Sequence, residues 1–220
     1  MKKLGIALLL SAACCGISVP AAAAGTQCQP VPLAQCAGMT LNWAHWKGKN
    51  LEGANFEGAT LEWADLSEAN LSGANFRNAR MNYARLRGAR LDRADLGGAS
   101  LIKADFEYAN LEHANLKQAN LLRADLKVAD LEHAVLEGAN LERADFSGAD
   151  LGSANLRGVS LISAHFPMAN LKQADLTDAD LKNAFYHGAL LKNATWTDGR
   201  TCASGSMGKC LSAMGQEAKL

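Results

Sequence analysis

Ala64-Asp65-Leu66-Ser67-Glu68-Ala69-Asn70-Leu71 contains the unit from which this chain is built. From Leu41 to Trp196 an apolar residue returns at every fifth position without one insertion or deletion. A period of five excludes two ordinary readings. On an α-helix each repeat advances about 500°, so the leucines spiral round the surface and form no stripe. In a flat strand an odd period sends successive leucines to opposite faces. Ala64 and Leu66, two apart, point the same way if that piece is extended, after which Ser67 and Glu68 must turn the chain. Each pentapeptide is therefore expected to be a short strand plus a corner. A stack of such corners is an all-β solenoid.

The two apolar places of the unit differ in size. Two residues before the Leu stands Ala, from Ala54 to Ala194, with the single exception of Val159. A small side chain is required at a crowded inward corner, where a larger one would be overpacked. The first units are imperfect, with Met39 and Lys49 where Ala later recurs. Ahead of them, residues 25–40 read as an N-terminal cap, since Pro30 and Pro32 interrupt any internal strand. After Trp196, Thr197-Asp198-Gly199 is a turn signal, and residues 197–220 are expected to form a C-terminal cap and tail.

The run A(N/D)LxxA(N/D)Lxx resembles the pentapeptide-repeat family over about Leu41 to Trp196. The resemblance implies a right-handed quadrilateral parallel β-helix with four pentapeptides per coil, and about eight coils at the inter-strand spacing. The sequence carries its own check on the number of sides. Trp46, Phe56, Phe76, Phe106, Phe146, Phe166, Tyr186 and Trp196 occupy the Leu place, and all fall on alternate pentapeptides. An even-sided coil gives this result, and a three-sided one scrambles it. Most coils then hold at most one ring, as a narrow interior of fixed volume demands. The end coils hold two, Trp46 with Phe56 and Tyr186 with Trp196, as plugs.

With twenty residues per coil, residues i and i+20 stack about 4.8 Å apart, and the surface is read in columns. Trp43, Trp63, Tyr83, Lys103, Arg123 and Arg143 form an outward column in which an aromatic ladder passes into a basic one, beside an exposed apolar column of Ile102, Leu122 and Ile162. Stacked rings suit a sugar or a partner protein, and the cations suit an anionic group on either. The bland alternative is that neighbouring rings cover one another and the cations lie over Leu122. His113 above His133, with Glu112 and Glu132 beside them, is the candidate divalent-metal site. Asp105, Asp125 and Asp145 stack in a third column, which either calcium or hydrogen bonds from their own turn amides must relieve. The resemblance favours the amides, because Asn or Asp regularly occupies that place. Arg77, Arg80, Arg85, Arg87, Arg90 and Arg93 crowd one coil, but Glu57, Asp65, Asp105 and Glu107 stand beside them and they point from different walls. Nucleic acid is not expected as a partner.

Lys2 and Lys3, an apolar run from Leu4 to about Val19, Pro20 and Ala21 to Ala24 make residues 1–24 a signal peptide, so the protein is expected to be periplasmic or secreted. A lipoprotein anchored at Cys14 ranks below this, since Ser11 stands where such a signal carries Leu. No integral membrane insertion is expected once the signal is removed. Loss of Lys2 and Lys3 from the 22 basic side chains that balance 22 acidic ones leaves a formal charge of −2. Four cysteines then remain, at the two ends of the repeats, and equal spacing pairs Cys28 with Cys36 and Cys202 with Cys210 as disulfides. Family members that mimic DNA and block type II topoisomerases tend to be cytoplasmic acidic rods paired end to end, and this chain departs on each count. No cleft, catalytic triad or cofactor motif stands out from the repeat phase, so no enzyme and no cofactor are expected. The function expected is that of an exported scaffold binding a protein or glycan of the cell envelope, as a monomer or a weak pair.

Overall fold

Five backbone N–H groups per pentapeptide need partners, and the coil is the arrangement that supplies all five. In the computed structural model, which describes residues 28–211, Asp65 N–H donates to the Ala44 carbonyl of the preceding coil. Leu66 and Glu68 donate to Arg85 and Arg87 of the following coil, and Ala69 closes its own turn onto Leu66. The fifth donor, Ser67 N–H, is taken by the Asp65 side chain at 3.1 Å. Asn and Asp recur at this place because their short carbonyl or carboxylate reaches the amide two residues on. Asn55, Asn70, Asp105, Asp150 and Asp175 do the same for the amides that follow them. Where the place holds Thr60 or Ser100, the donors of Glu62 and Ile102 are met by Asn42 and Asn82 of the coil before.

Parallel bridges join residues twenty apart, from Gln35 with Asn55 through to Asp175 with Thr195, so each coil takes four pentapeptides. Each pentapeptide contributes a single bridge residue, not the short strand expected, because two of its five residues form the turn. The third residue of every turn from Leu33 to Asn193 has a positive φ, as a type II turn requires. Ala and Leu point inward and are fully buried along the rod, with Phe56 stacked on Phe76 at 4.9 Å and Phe146 on Phe166 at 4.8 Å. At the ends Trp46 meets Phe56 at 5.9 Å and Tyr186 meets Trp196 at 5.8 Å.

The N-terminal boundary differs from expectation. The repeat does not begin at Leu41 but reaches back through residues 31–40, where Gln35 and Thr40 already bridge to the next coil. Ala34 and Cys36 fill the Ala and Leu places, and Cys36 is fully buried. Its sulfur, held in a disulfide to Cys28, is small and weakly polar, so it continues the core while breaking the pattern of leucines. Both disulfides are formed, Cys28 with Cys36 and Cys202 with Cys210, with Cα separations of 5.4 and 5.0 Å. After Trp196 the chain reverses, and Thr201 and Met207 bridge antiparallel to Thr195 and Leu190. The signal-peptide reading of residues 1–24, with Cys14, and the tail after Leu211 lie outside the described residues. No helix among the described residues is long and apolar enough to cross a membrane.

Candidate functional site

The positive-φ place of each turn projects outward at a corner of the coil, so four corner columns run along the rod. An L-residue there costs about 1–2 kcal/mol relative to its usual backbone, and glycine removes that strain. Three of the columns use glycine, as at Gly48, Gly88, Gly148 and Gly188, at Gly53 and Gly73, and at Gly38, Gly58, Gly98, Gly138 and Gly158. The fourth does not. Trp43, Trp63, Tyr83, Lys103, Arg123, Arg143, Ser163 and Asn183 all carry a side chain at φ between 56° and 62°. This is the corner that the sequence singles out from Trp43 to Arg143.

Its rings are in register. Trp43 and Trp63 stack with centroids 5.3 Å apart and 5° between planes, and Trp63 and Tyr83 at 4.2 Å and 3°. Lys103 Nζ then lies 5.4 Å from the Tyr83 centroid. Both faces of Trp63 and Tyr83 are thus covered by neighbouring rings or the cation, and one face of Trp43 by Trp63, so beyond Trp43 the ladder presents edges, with Trp43 61% and Trp63 46% exposed. Arg123 and Arg143 extend the column, exposed and without an ion pair among the described residues. The neighbouring Ile102, Leu122 and Ile162 are half-buried, not exposed as expected, because the long side chains beside them cover their flanks.

The other candidate columns come together differently. His113 and His133 stack with centroids 4.9 Å apart, and their Nε2 atoms face Glu112 and Glu132 at 3.4 and 3.7 Å. Each imidazole therefore meets its own neighbouring carboxylate, and no group of three or more metal-ligating side chains converges among the described residues. In the aspartate column each carboxylate accepts its turn amide, and Lys127 Nζ bridges Asp125 at 2.8 Å and Asp145 at 3.3 Å, a partner the column reading missed. Burial raises the Asp105 carboxyl above its ordinary range, and the charge of Asp125 adds to this. Burial pushes Asp145 the same way but is outweighed by the bonds from Ser147 and the charge of Lys127, which leave it lowered. Arg77 pairs with Asp95 at 3.2 Å in the following coil, not with Glu57. Arg87 pairs with Glu107, and Arg80 with Glu62 at 2.8 Å. Arg85 stands between Asp65 and Asp105 without closing an ion pair among the described residues.

Sequence reading also passed over the next corner, where Tyr108, Val128 and Met168 are exposed beside Phe185. Gly148 separates Val128 from Met168, and Gly88 precedes Tyr108, so no long stripe announces them.

Coil, turn and side-chain bonding repeat in phase over the region matched by a family model for pentapeptide repeats. The model matches in 8 copies across residues 34–73, 69–107, 94–127, 104–142, 124–161 and 154–193. The chain belongs to the pentapeptide-repeat family. Among solved pentapeptide-repeat structures it is similar to HetL, involved in heterocyst differentiation regulation in the cyanobacterium Nostoc sp. strain PCC 7120, with 30% identity over 76% of this chain and 92% of that one, at a TM-score of 0.43. QnrB1, a plasmid-mediated fluoroquinolone resistance protein, is 19% identical over 73% of this chain and 83% of its own, with a TM-score of 0.68, which shows a common fold. Rfr23 from the cyanobacterium Cyanothece 51142 is 25% identical over 74% and 90%, at a TM-score of 0.21. No curated protein matches by sequence.

Proposed function

We propose that this pentapeptide-repeat protein is a non-enzymatic, exported scaffold that binds a partner protein of the cell envelope along the corner from Trp43 to Arg143. The observation that carries the reading is the absence of glycine from this corner alone, at places where glycine relieves strain. Side chains retained against a backbone penalty, and left exposed, support a contact surface. Ring edges flanked by cations without an ion pair among the described residues favour a protein over a glycan, since a sugar stacks on ring faces and those of Trp63 and Tyr83 are covered, leaving only the end face of Trp43. Turns of two residues build no groove wall, which supports a binding role over catalysis. Two closed disulfides fit an oxidising compartment, periplasmic or secreted. The helix is read as right-handed and four-sided with about eight coils, from bridges that step twenty residues at a time between Gln35 and Thr195.

The test is site-specific photo-cross-linking in the native envelope from positions 63 and 123, with position 78 on another corner as control. One partner captured from both positions, missed from the control and lost in Trp63→Ala, is expected. Unchanged pull-down partners and glycan-array profiles in the Trp63→Ala, Arg123→Ala double variant would remove the reading. The stacked His113 and His133 support a second reading, divalent-metal binding, which zinc or copper titration of their ring resonances decides.

A further inference from the structure

At the C-terminal end of the rod the chain closes half of the rim. Ser206, Cys202 and Arg200 carbonyls accept from Leu191, Asn193 and Trp196, and Gly208 N–H donates to Ala189, so two adjoining sides of the last coil are covered. On the other two sides, up to the point where Gly208 packs over Gly188, Leu181, Asn183 and Tyr186 have no acceptor for their N–H groups, and Ala179 and Ala184 no donor for their carbonyls, among the described residues. One coil earlier every equivalent group is engaged. Leu161, Ser163, Phe166 and Met168 donate to Asp180, Lys182, Phe185 and His187, while Val159 and Ala164 accept from Asp180 and Phe185. Over the open rim lies a hollow of about 370 Å³ lined by Ala179, Asp180, Leu181, Lys182, Asn183 and Thr197.

We infer that this rim accepts an extended segment of a partner protein, laid parallel to residues 179–186 where a further coil would pass, and ending where Gly208 packs over His187 and Gly188. The groups themselves identify the occupant. A rim that offers carbonyl acceptors and amide donors in turn matches polypeptide backbone, whereas an anion would meet the donors alone and a sugar has no amide register. The hollow over Leu181 takes one apolar side chain of the segment, and Lys182, exposed and without an ion pair among the described residues, takes an acidic one beside it. Asn183 is the last member of the glycine-free corner, so the rim continues that surface, but the inference does not depend on the ladder.

A phage-displayed library of random linear peptides, selected on the full chain and resynthesised as free peptides, supplies the probe. Amide exchange by NMR then reads the rim. With peptide bound, Leu181, Asn183 and Tyr186 are expected to exchange at least about tenfold more slowly, and a peptide N-methylated at alternate residues loses the effect. Lys182→Glu weakens an acidic peptide severalfold, while Trp63→Ala leaves it unchanged, which separates this inference from the ladder reading. Selected peptides that leave the rim amides unchanged, or that shift only the Trp43 and Trp63 indole signals, overturn it. Rim amides already slow in the isolated protein also overturn it: protection independent of concentration means the chain covers its own rim, and protection that grows with concentration means a second copy does.

Discussion

Val128 shows at a single residue what the fold demands, since a β-branched side chain is held at φ 54° and half exposed, where it gains little packing in return. Val128→Gly is expected to stabilise the protein by about 0.5–1 kcal/mol, the backbone relief exceeding the added freedom of the unfolded chain. Gly58→Ala is the converse. A methyl there meets nothing within 4 Å, so its expected loss of about 0.5–1 kcal/mol reports φ alone. Urea denaturation of both variants checks the pair. The aspartate column gives opposite pH responses. Asp145 has a lowered folded pKa, so its contribution is complete above the ordinary value of 3.8 and is lost as pH falls through the folded value. Asp105 has a raised one, so it opposes folding once pH exceeds that raised value and ceases to do so below 3.8. Asp105→Asn should therefore gain a few tenths of a kcal/mol at neutral pH, as removal of one of two adjacent like charges does. Asp145→Asn should instead lose stability at neutral pH and show a flatter fall on acidification, read from urea midpoints at pH 6 and pH 3.

At the scale of the pentapeptide, the sequence was legible wherever one side chain does one job. Ala64 and Leu66 pointed inward and Asp65 answered its turn amide because their size and reach allow little else. Cys36 was illegible as a core residue because its pairing with Cys28 explained it fully, and the prolines before it hid the phase. That the rings of the ladder cover one another was legible as one of two alternatives, because the twenty-residue columns set their spacing, but residue type alone did not decide between them. The open rim depends on where the tail lies after Trp196, and no periodicity reaches that far. Leu116→Ala, removing a fully buried side chain from a coil of fixed width, is expected to cost about 2–5 kcal/mol. Loss of the Cys202–Cys210 link through Cys202→Ala, Cys210→Ala should cost about 2–3 kcal/mol by loop entropy, measurable by thermal melts with and without reductant.

Across the whole molecule each coil touches only its neighbours, so stability accumulates by nearest-neighbour terms and opening begins at the ends. Amide exchange is expected to be slowest near Leu101 to Leu141 and faster toward both caps, with the open sides of the last coil fastest. The regular interior has a further consequence for the surface. Every side of the coil is built from the same five-residue unit, and inside only the rings at alternate centres tell one pair of walls from the other, whereas the exterior is an address written on a dial. Deleting residues 91–110 would shorten the rod by one coil and leave Tyr83 and Arg123 on the same corner. Deleting residues 91–95 would preserve the packing phase yet turn everything downstream by a quarter, carrying Arg123 and Arg143 away from Trp43 and Trp63. Both shortened proteins should fold, and a partner that reads the whole corner should recognise the first and miss the second.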